Sequence, residues 1–305
     1  NPRPDLCGVE AKNMNCNPTS CQRQGWTWQG LWFTPQSNIV SRVVVAFHGF
    51  GRPMEEMGNY LPLFDEATAM LSIGLCHHNG STAPEGKDHA VLSPERFHRA
   101  IEGWLESLLP ENHTEVAKEL LGYSLGGRIA LTLFEHAPET WSGIRLLAPD
   151  GFRKNPMYRF AVETHLGRMT WAWTNRHAHF VQKVIRGLRR LRFIPAHLEH
   201  FALHHTENEA MRTLVARTWR THREFWPTMN GTKKAWGTLE QRGAHVYAVF
   251  GERDAIIPWA WSKPWRQQAP KHVHFMHIDA GHVMRHHDTV ERIAEAILTT
   301  SHDES

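Results

Sequence analysis

The sequence predicts an α/β protein: a mostly parallel sheet, flanked by helices and interrupted by a helical insertion. Short β-branched runs alternate with helical patterns over residues 25–151 and again over 243–305, which is the pattern of parallel sheets. Between these stretches, residues 152–242 are helical and aromatic in pattern, with no comparable β-run. A glycine-rich turn around Ser124 stands where a strand should pass into a helix.

The first elements follow a polar stretch, residues 1–24, which we expect to be an irregular leader. Four aromatic residues indicate an early strand: Trp26, Trp28, Trp32 and Phe33. The run Val-Val-Val-Ala-Phe at 43–47 is typical of a buried parallel strand. A helix is predicted over 54–71, and a short apolar run follows at 73–76.

The next helix is predicted to begin at Ser93-Pro94-Glu95, because a capping residue, a proline and an acid stand in the order that helix starts favour. Its apolar face consists of Phe97, Ile101, Trp104, Leu105 and Leu108. The later elements are predicted in this order: strand 117–121, helix 128–134, strand 144–147, strands 246–250 and 273–278, and helix 289–298.

The insertion differs from the rest of the chain in charge. Residues 152–242 contain 17 Lys+Arg and 6 Asp+Glu, a balance of +11, while the remainder holds 17 and 25, a balance of −8. We expect a basic helical cap whose core contains Trp171, Trp173, Trp219, Trp226 and Trp236. One helix, 180–193, carries an apolar stripe (Val181, Val184, Ile185, Leu188, Leu191) beside basic residues. Two interpretations stay open: a cap helix that covers the active site, or a helix with a weak attraction to anionic lipid or anionic substrates.

Composition excludes several classes of protein. With 41% hydrophobic and 21% charged residues among 305, the chain has enough apolar material to fold. It has no apolar stretch of about 18 residues that would span a membrane, and no signal-peptide pattern is visible. A cytoplasmic location is the default expectation. No nucleic-acid-binding module is recognised.

The cysteines predict little chemistry. Cys7, Cys16 and Cys21 lie in the polar leader, and the spacing of the last two only borders on that of a zinc site, so an unpaired or disulfide-linked leader is favoured. Cys76 is expected to be a small buried hydrophobe. The histidine pairs lack a convincing spacing with acidic or thiol partners, and we predict no specific metal site from them.

The turn Gly122-Tyr123-Ser124-Leu125-Gly126 carries the predicted chemistry. A sharp strand-to-helix turn exposes a serine hydroxyl at the edge of the sheet, and its glycines prevent side-chain clashes with the approaching helix. The serine needs a base within hydrogen-bond reach. His282 follows strand 273–278 and should lie at the same carboxyl edge. His277, inside that strand, and His286 and His287, further along, are weaker candidates.

The base in turn needs an acid to orient it and to stabilise its charged form. Asp254 follows the strand that ends at Phe250, and Asp150, which follows strand 144–147, is the alternative. The oxyanion of an acyl transfer needs hydrogen-bond donors, for which we predict the backbone amides of Leu125 and, in the turn His48-Gly49-Phe50-Gly51, of Phe50. His48 is expected to be structural.

The order Ser124, Asp254, His282, with the His-Gly-Phe-Gly turn upstream and a helical insertion after the strand ending at Leu147, resembles the α/β-hydrolase superfamily over about residues 26–300. This resemblance implies an eight-stranded, mostly parallel sheet with a cap inserted after the sixth strand. It also implies ester or related acyl hydrolysis without a cofactor. Serine at this turn argues against haloalkane dehalogenases and epoxide hydrolases, whose nucleophile there is aspartate.

We therefore predict a serine hydrolase that cleaves carboxylic esters of small molecules through an acyl-enzyme. Thioesterase, C–C bond hydrolase and acyltransferase activities use the same triad and remain alternatives. A non-catalytic binding protein of the same fold is a further alternative, disfavoured because all three triad residues are present in order.

Overall fold

The computed structural model describes residues 14–37, 39–86, 90–109, 116–154, 156–190, 209–242 and 244–302. Its strands are β1 (Met14–Arg23), β2 (Trp26–Pro35), β3 (Arg42–Phe47), β4 (Thr68–Ile73), β5 (Ala117–Tyr123), β6 (Gly143–Leu147), β7 (Val246–Gly251) and β8 (Val273–Ile278). They form one eight-stranded sheet in the order β1-β2-β4-β3-β5-β6-β7-β8. The pairs β1–β2 and β2–β4 are antiparallel and all others are parallel. The predicted mostly parallel sheet is confirmed.

The α-helices are α1 (Pro94–Leu108), α2 (Leu125–His136), α3 (Pro156–Glu163), α4 (His165–Arg176), α5 (Ala178–Arg190), α6 (Glu209–Thr221), α7 (Met229–Glu240), α8 (Lys263–Arg266) and α9 (His287–His302). The 3₁₀ helices span Met54–Leu63, Pro138–Thr140 and Trp259–Ser262. Among the described helices, none is long and apolar enough to cross a membrane.

The core forms around the central strands because their side chains are apolar on both faces. All of Val43–Phe47 is fully buried, as expected for a parallel strand covered on each side. Helix α1 adds Phe97, Ile101 and Trp104, each buried. It begins as predicted, with the Ser93 hydroxyl accepting a hydrogen bond from the Arg96 amide at 3.2 Å.

The prediction of an irregular leader is wrong for residues 14–23, since Met14–Arg23 forms β1. The strand lies at the edge of the sheet, and Met14 and Cys16 pack against the core while most of the remaining residues are exposed. An edge strand that faces solvent on one side needs few apolar residues, so its polar composition did not predict a strand. Residues 1–13 lie outside the described residues. Cys16 is disulfide-bonded, which removes its thiolate from any zinc site.

The predicted helix 54–71 is also wrong in its second half. A 3₁₀ helix covers Met54–Leu63, and β4 begins at Thr68. All six residues of β4 are buried. A short run of mainly apolar residues does not distinguish a buried helix from a buried strand, so the sequence pattern alone could not separate the two.

The chain divides into two compact units, and the second comprises Lys87–Val91 and Lys154–Arg223. It contains α3 to α6, which follow β6 as the resemblance implied. The predicted cap boundary at 242 is too late, because α7 belongs to the first unit. There Glu135 accepts hydrogen bonds from the Thr228 amide at 2.8 Å and the Thr228 hydroxyl at 2.7 Å, at the start of α7. A helical pattern does not reveal which core a helix packs against.

The tryptophans predicted for the cap core divide in the same way. Trp226 and Trp236 lie in the first unit, where Trp236 is fully buried. In the second unit, Trp219 packs edge-on against Tyr158 with ring centroids 5.1 Å apart. Trp173 is 48% exposed, and the side chain of Trp171 lies outside those described.

Candidate active site

The predicted serine turn has the geometry that its sequence requires. Ser124 stands between β5 and α2 with φ 53° and ψ −115°, a conformation that costs a non-glycine residue about 1–3 kcal/mol. Its amide donates to the Leu147 carbonyl at 3.0 Å, and its carbonyl accepts from the amides of Gly127 and Asp150 at 2.9 Å each. Bonds to β6 and to the loop after it therefore hold the strained residue in place.

Two glycines of the motif are sterically required. A Cβ on Gly126 would lie 1.9 Å from the Phe47 carbonyl oxygen, and one on Gly122 would lie 2.5 Å from the Gly126 carbonyl oxygen. Real Cβ atoms do not approach backbone atoms so closely. The first turn of α2 therefore packs directly against the end of β3, which brings the serine beside the turn that follows β3.

The three predicted side chains of the triad lie in a hydrogen-bonded chain. His282 Nε2 is 3.1 Å from Ser124 Oγ, and His282 Nδ1 is 2.8 Å from Asp254 Oδ2. The Asp254 side chain is fully buried, and its other oxygen accepts from the amides of Ile256 and Ile257 at 2.8 and 2.9 Å. With Nδ1–H donated to the carboxylate, Nε2 is left to accept the serine proton.

The alternative acid, Asp150, has different partners. Its Oδ2 pairs with the buried Arg128 guanidinium at 3.3 Å, and its Oδ1 accepts from the Gly151 amide at 2.8 Å. Helix α2 carries Arg128, so this ion pair ties the helix to the loop after β6. The structure brings Asp254, rather than Asp150, to His282.

The alternative histidines also lie elsewhere. The His277 ring stacks on Trp259 with centroids 4.7 Å apart, and His287 pairs with Glu291 at 3.3 Å on the first turns of α9. His286 directly precedes α9, where its carbonyl accepts hydrogen bonds from the amides of Thr289 and Val290. His282 was predicted because it follows the last strand, and it is the histidine that lies beside Ser124 in the structure.

The turn His48–Gly51 lies against the serine. A Cβ on Gly49 would lie 3.3 Å from Ser124 Cβ. Burial, aided by the nearby His78, lowers the pKa of His48 to about 3, so its ring is neutral at physiological pH. Nδ1 lies 2.7 Å from the Gly49 carbonyl, and Nε2 accepts from the Leu75 amide at 2.9 Å. Both nitrogens are committed to backbone groups, as expected for a structural residue.

Sequence reasoning missed two residues that support this turn. His78 Nε2 accepts from the Gly51 amide at 3.1 Å, and the Asn79 side-chain amide lies 3.0 Å from His48 Nε2. Both follow β4, whose parallel neighbour is β3. A His-His-Asn-Gly cluster after a strand was the available signal, because the carboxyl ends of adjacent parallel strands meet at one edge.

Tyr123 was missed as well. Its hydroxyl donates to the His282 carbonyl at 3.0 Å, and the two rings lie 5.6 Å apart. Burial raises the pKa of Tyr123 to about 12, so the hydroxyl keeps its proton at neutral pH. The residue before the serine thus holds the backbone of the histidine.

Solved structures similar to this chain share its fold over most of its length. A thermophilic esterase from Thermogutta terrifontis has a TM-score of 0.57 at 15% identity, covering 95% of this chain and 98% of its own. A thioesterase domain from the curacin biosynthetic pathway has a TM-score of 0.58 at 13% identity, covering 93% and 99%. The chain has the α/β-hydrolase fold. A meta-cleavage product hydrolase from Pseudomonas fluorescens IP01 is similar too, with a TM-score of 0.57 at 13% identity, covering 94% and 98%.

No protein-family model matches the sequence, and no curated protein matches it. At these identities the α/β-hydrolase likeness establishes the fold, and the three neighbours carry the names of different activities. The choice of substrate must therefore come from this chain's own residues.

Within the described part of the chain, one group of side chains is close enough to hold a metal ion: His287, Asp288 and Glu291. All three are exposed near the start of α9, and an exposed cluster of this kind is common without an ion. The cluster is separate from the hydrogen-bonded chain of Ser124, His282 and Asp254, and the proposed reaction does not use it.

Proposed function

We propose that the protein is a serine hydrolase that cleaves carboxylic ester bonds through an acyl-enzyme intermediate. The observation that carries the proposal is the chain from Ser124 Oγ to His282 Nε2, 3.1 Å, and from His282 Nδ1 to Asp254 Oδ2, 2.8 Å. A nucleophile, a base and an orienting acid in this order supply what attack on a carbonyl carbon requires.

In the first half-reaction, Ser124 Oγ attacks the ester carbonyl carbon while its proton passes to His282 Nε2. The carbonyl oxygen becomes an oxyanion, and the amides of Phe50 and Leu125 are proposed as its donors. The intermediate then expels the alcohol, which takes the proton from His282. The serine is left esterified to the acyl group.

In the second half-reaction, water attacks the acyl-enzyme. His282 Nε2 accepts a proton from the water, and the resulting tetrahedral intermediate collapses to release the carboxylic acid. The proton returns to Ser124 Oγ. Throughout, Asp254 stays ionised, fixes the ring tautomer and stabilises the imidazolium.

The test is hydrolysis of p-nitrophenyl esters of increasing acyl chain length by wild type and Ser124→Ala, with thioesters and C–C substrates assayed in parallel. We expect release of p-nitrophenol by wild type and a loss of about ten-thousand-fold or more in Ser124→Ala. Turnover of thioesters but not of esters would identify a thioesterase that uses the same mechanism. Equal rates for the two proteins would overturn the proposal.

A cytoplasmic location stays a prediction. The disulfide of Cys16 favours an oxidising compartment, because cytosolic proteins seldom keep such bonds.

A further inference from the structure

Helices α4 and α5 have an unusual charge. From His165 to Arg190 the chain contains six Lys+Arg and not one Asp or Glu. A solvated helix pair ordinarily mixes both signs, so that exposed charges attract each other along the surface. A stretch of a single sign instead creates a field that attracts an anionic partner.

The same two helices expose large apolar side chains. On α4 these are Leu166, Met169 and Trp173, at 66%, 58% and 48% exposure. Their spacing of three and four residues places them on one helical face. On α5, Phe180 and Val184 are one turn apart and are 58% and 42% exposed. The Trp173 and Phe180 rings meet edge-on with centroids 6.1 Å apart, which joins the two sets.

Basic side chains flank the apolar residues on α5. Lys183 and Arg190 are exposed, while Gln182, on the side of the helix opposite Phe180 and Val184, is buried. Among the described residues, a groove of about 550 Å³ is lined by Lys183, Arg186, Gly187, Arg189 and Arg190. An apolar strip beside a cationic strip is the pattern of a helix that lies in a membrane interface.

We propose that this α4–α5 face (Leu166, Met169, Trp173, Phe180 and Val184 with Lys183 and Arg190) docks on the surface of an anionic lipid bilayer. The apolar side chains enter the boundary between headgroups and acyl chains, and the basic side chains bind lipid phosphates. Nucleic acid would attract the same charge, but aliphatic Leu166, Met169 and Val184 match hydrocarbon rather than stacked bases. The proposal is independent of the proposed hydrolase activity.

The test is sedimentation of the full chain carrying Ser124→Ala, so that no lipid is cleaved, with vesicles of two compositions. One is phosphatidylcholine alone, and the other contains roughly one quarter phosphatidylglycerol. We expect binding to the anionic vesicles only, weakened when salt is raised to about 1 M, where screening shortens electrostatic reach to about 3 Å.

Two variants separate the charged and apolar contributions. Lys183→Gln with Arg190→Gln should weaken binding to anionic vesicles about 30-fold, since each basic side chain near an anionic surface contributes about five-fold. Phe180→Ser should weaken it about ten-fold. The matched control, Lys234→Gln with Lys271→Gln, removes two exposed charges from the first unit and should bind as the parent does.

Several results would overturn the proposal. These are equal binding to both vesicle compositions, no binding to either, or equal losses in the Lys183/Arg190 variant and the Lys234/Lys271 control. Concentration-dependent self-association that Phe180→Ser abolishes, without vesicle binding, would identify a second copy of the chain as the occupant. Binding of a DNA duplex in place of vesicles, lost with Lys183→Gln and Arg190→Gln, would identify nucleic acid.

Discussion

The first unit buries Phe97 and the Asp254 carboxylate, whereas the second unit leaves Phe180 58% and Trp173 48% exposed. In the first unit, the buried polar groups of the candidate site have hydrogen-bond partners that fix where they point: Asp254 accepts two amides, and both nitrogens of His48 face backbone groups. Buried polar side chains whose hydrogen bonds are all made hold a site in one rigid arrangement. The exposed aromatic side chains of the second unit instead belong to the surface that we propose docks on lipid.

The largest expected effect separates the two acids of the first unit. Asp254→Asn should lower kcat about ten-thousand-fold, because an amide favours the wrong tautomer of His282. Asp150→Asn should leave kcat within about ten-fold and destabilise the fold by about 2 kcal/mol, because it weakens the ion pair with buried Arg128. Ester hydrolysis and urea unfolding of both variants check this, and the reverse ranking in kcat would assign the acid to Asp150.

Two phenylalanines compare the units directly. Phe97 is 1% exposed, so Phe97→Ala should lower the free energy of unfolding by about 3–5 kcal/mol through lost burial and a cavity. Phe180→Ala removes a side chain that packs little and should change it by less than about 0.5 kcal/mol. Urea titrations measure both values. A large loss in Phe180→Ala would mean that this residue is part of a packed core.

Acid should destabilise the first unit through His48. Burial lowers its pKa to about 3 in the folded chain, while a histidine in an unfolded chain titrates near 6.5. Between these values the unfolded state binds the proton and the folded state does not, so stability falls as the pH drops below about 6.5. At a pH near 4.5 the loss is about 2–3 kcal/mol.

The control for that loss is His48→Gln, which keeps a hydrogen-bonding side chain without the titration. The difference in unfolding free energy between near-neutral and acidic buffer should be smaller in this variant by about the same 2–3 kcal/mol. An unchanged pH dependence would show that His48 is accessible to protons in the folded state.

A modest loss is expected at Tyr123. Tyr123→Phe removes the hydroxyl that donates to the His282 carbonyl and should lower stability by about 1 kcal/mol. Because the ring still packs beside the imidazole, kcat should fall by less than about ten-fold. A loss as large as that of Asp254→Asn would give the tyrosine hydroxyl a direct part in the chemistry.

The sequence was sufficient where a motif has a steric cause. Gly122 and Gly126 are required by contacts shorter than any side chain allows, and β-branched runs such as 43–47 match buried strands. These constraints act on short segments of the chain, so the amino-acid sequence reveals them directly. They predicted the sheet, the serine turn and the edge where Asp254 and His282 lie.

The features that the sequence did not predict depend on contacts between segments that are distant in the chain. β1 is polar because it is an edge strand, and α7 looks like a cap helix although it packs in the first unit. His78 and Asn79 act through Gly51 and His48, which lie 27 and 31 positions away in the chain. In the second unit, the periodic stripe left open whether Val184 packs in a cap or faces a lipid surface, and the residue is 42% exposed. Periodicity finds an apolar face but does not reveal what covers it.

The central claim, that the first unit holds an activated serine, is tested most directly by labelling with a fluorophosphonate, which reacts with serine made nucleophilic by a neighbouring base. Peptide mass mapping of the wild type should find one adduct, on Ser124. Labelling should be absent in Ser124→Ala, strongly slowed in His282→Gln, and lost when the wild type is unfolded in urea. A folded wild type that stays unlabelled at Ser124, or is labelled equally well in His282→Gln, would contradict the account.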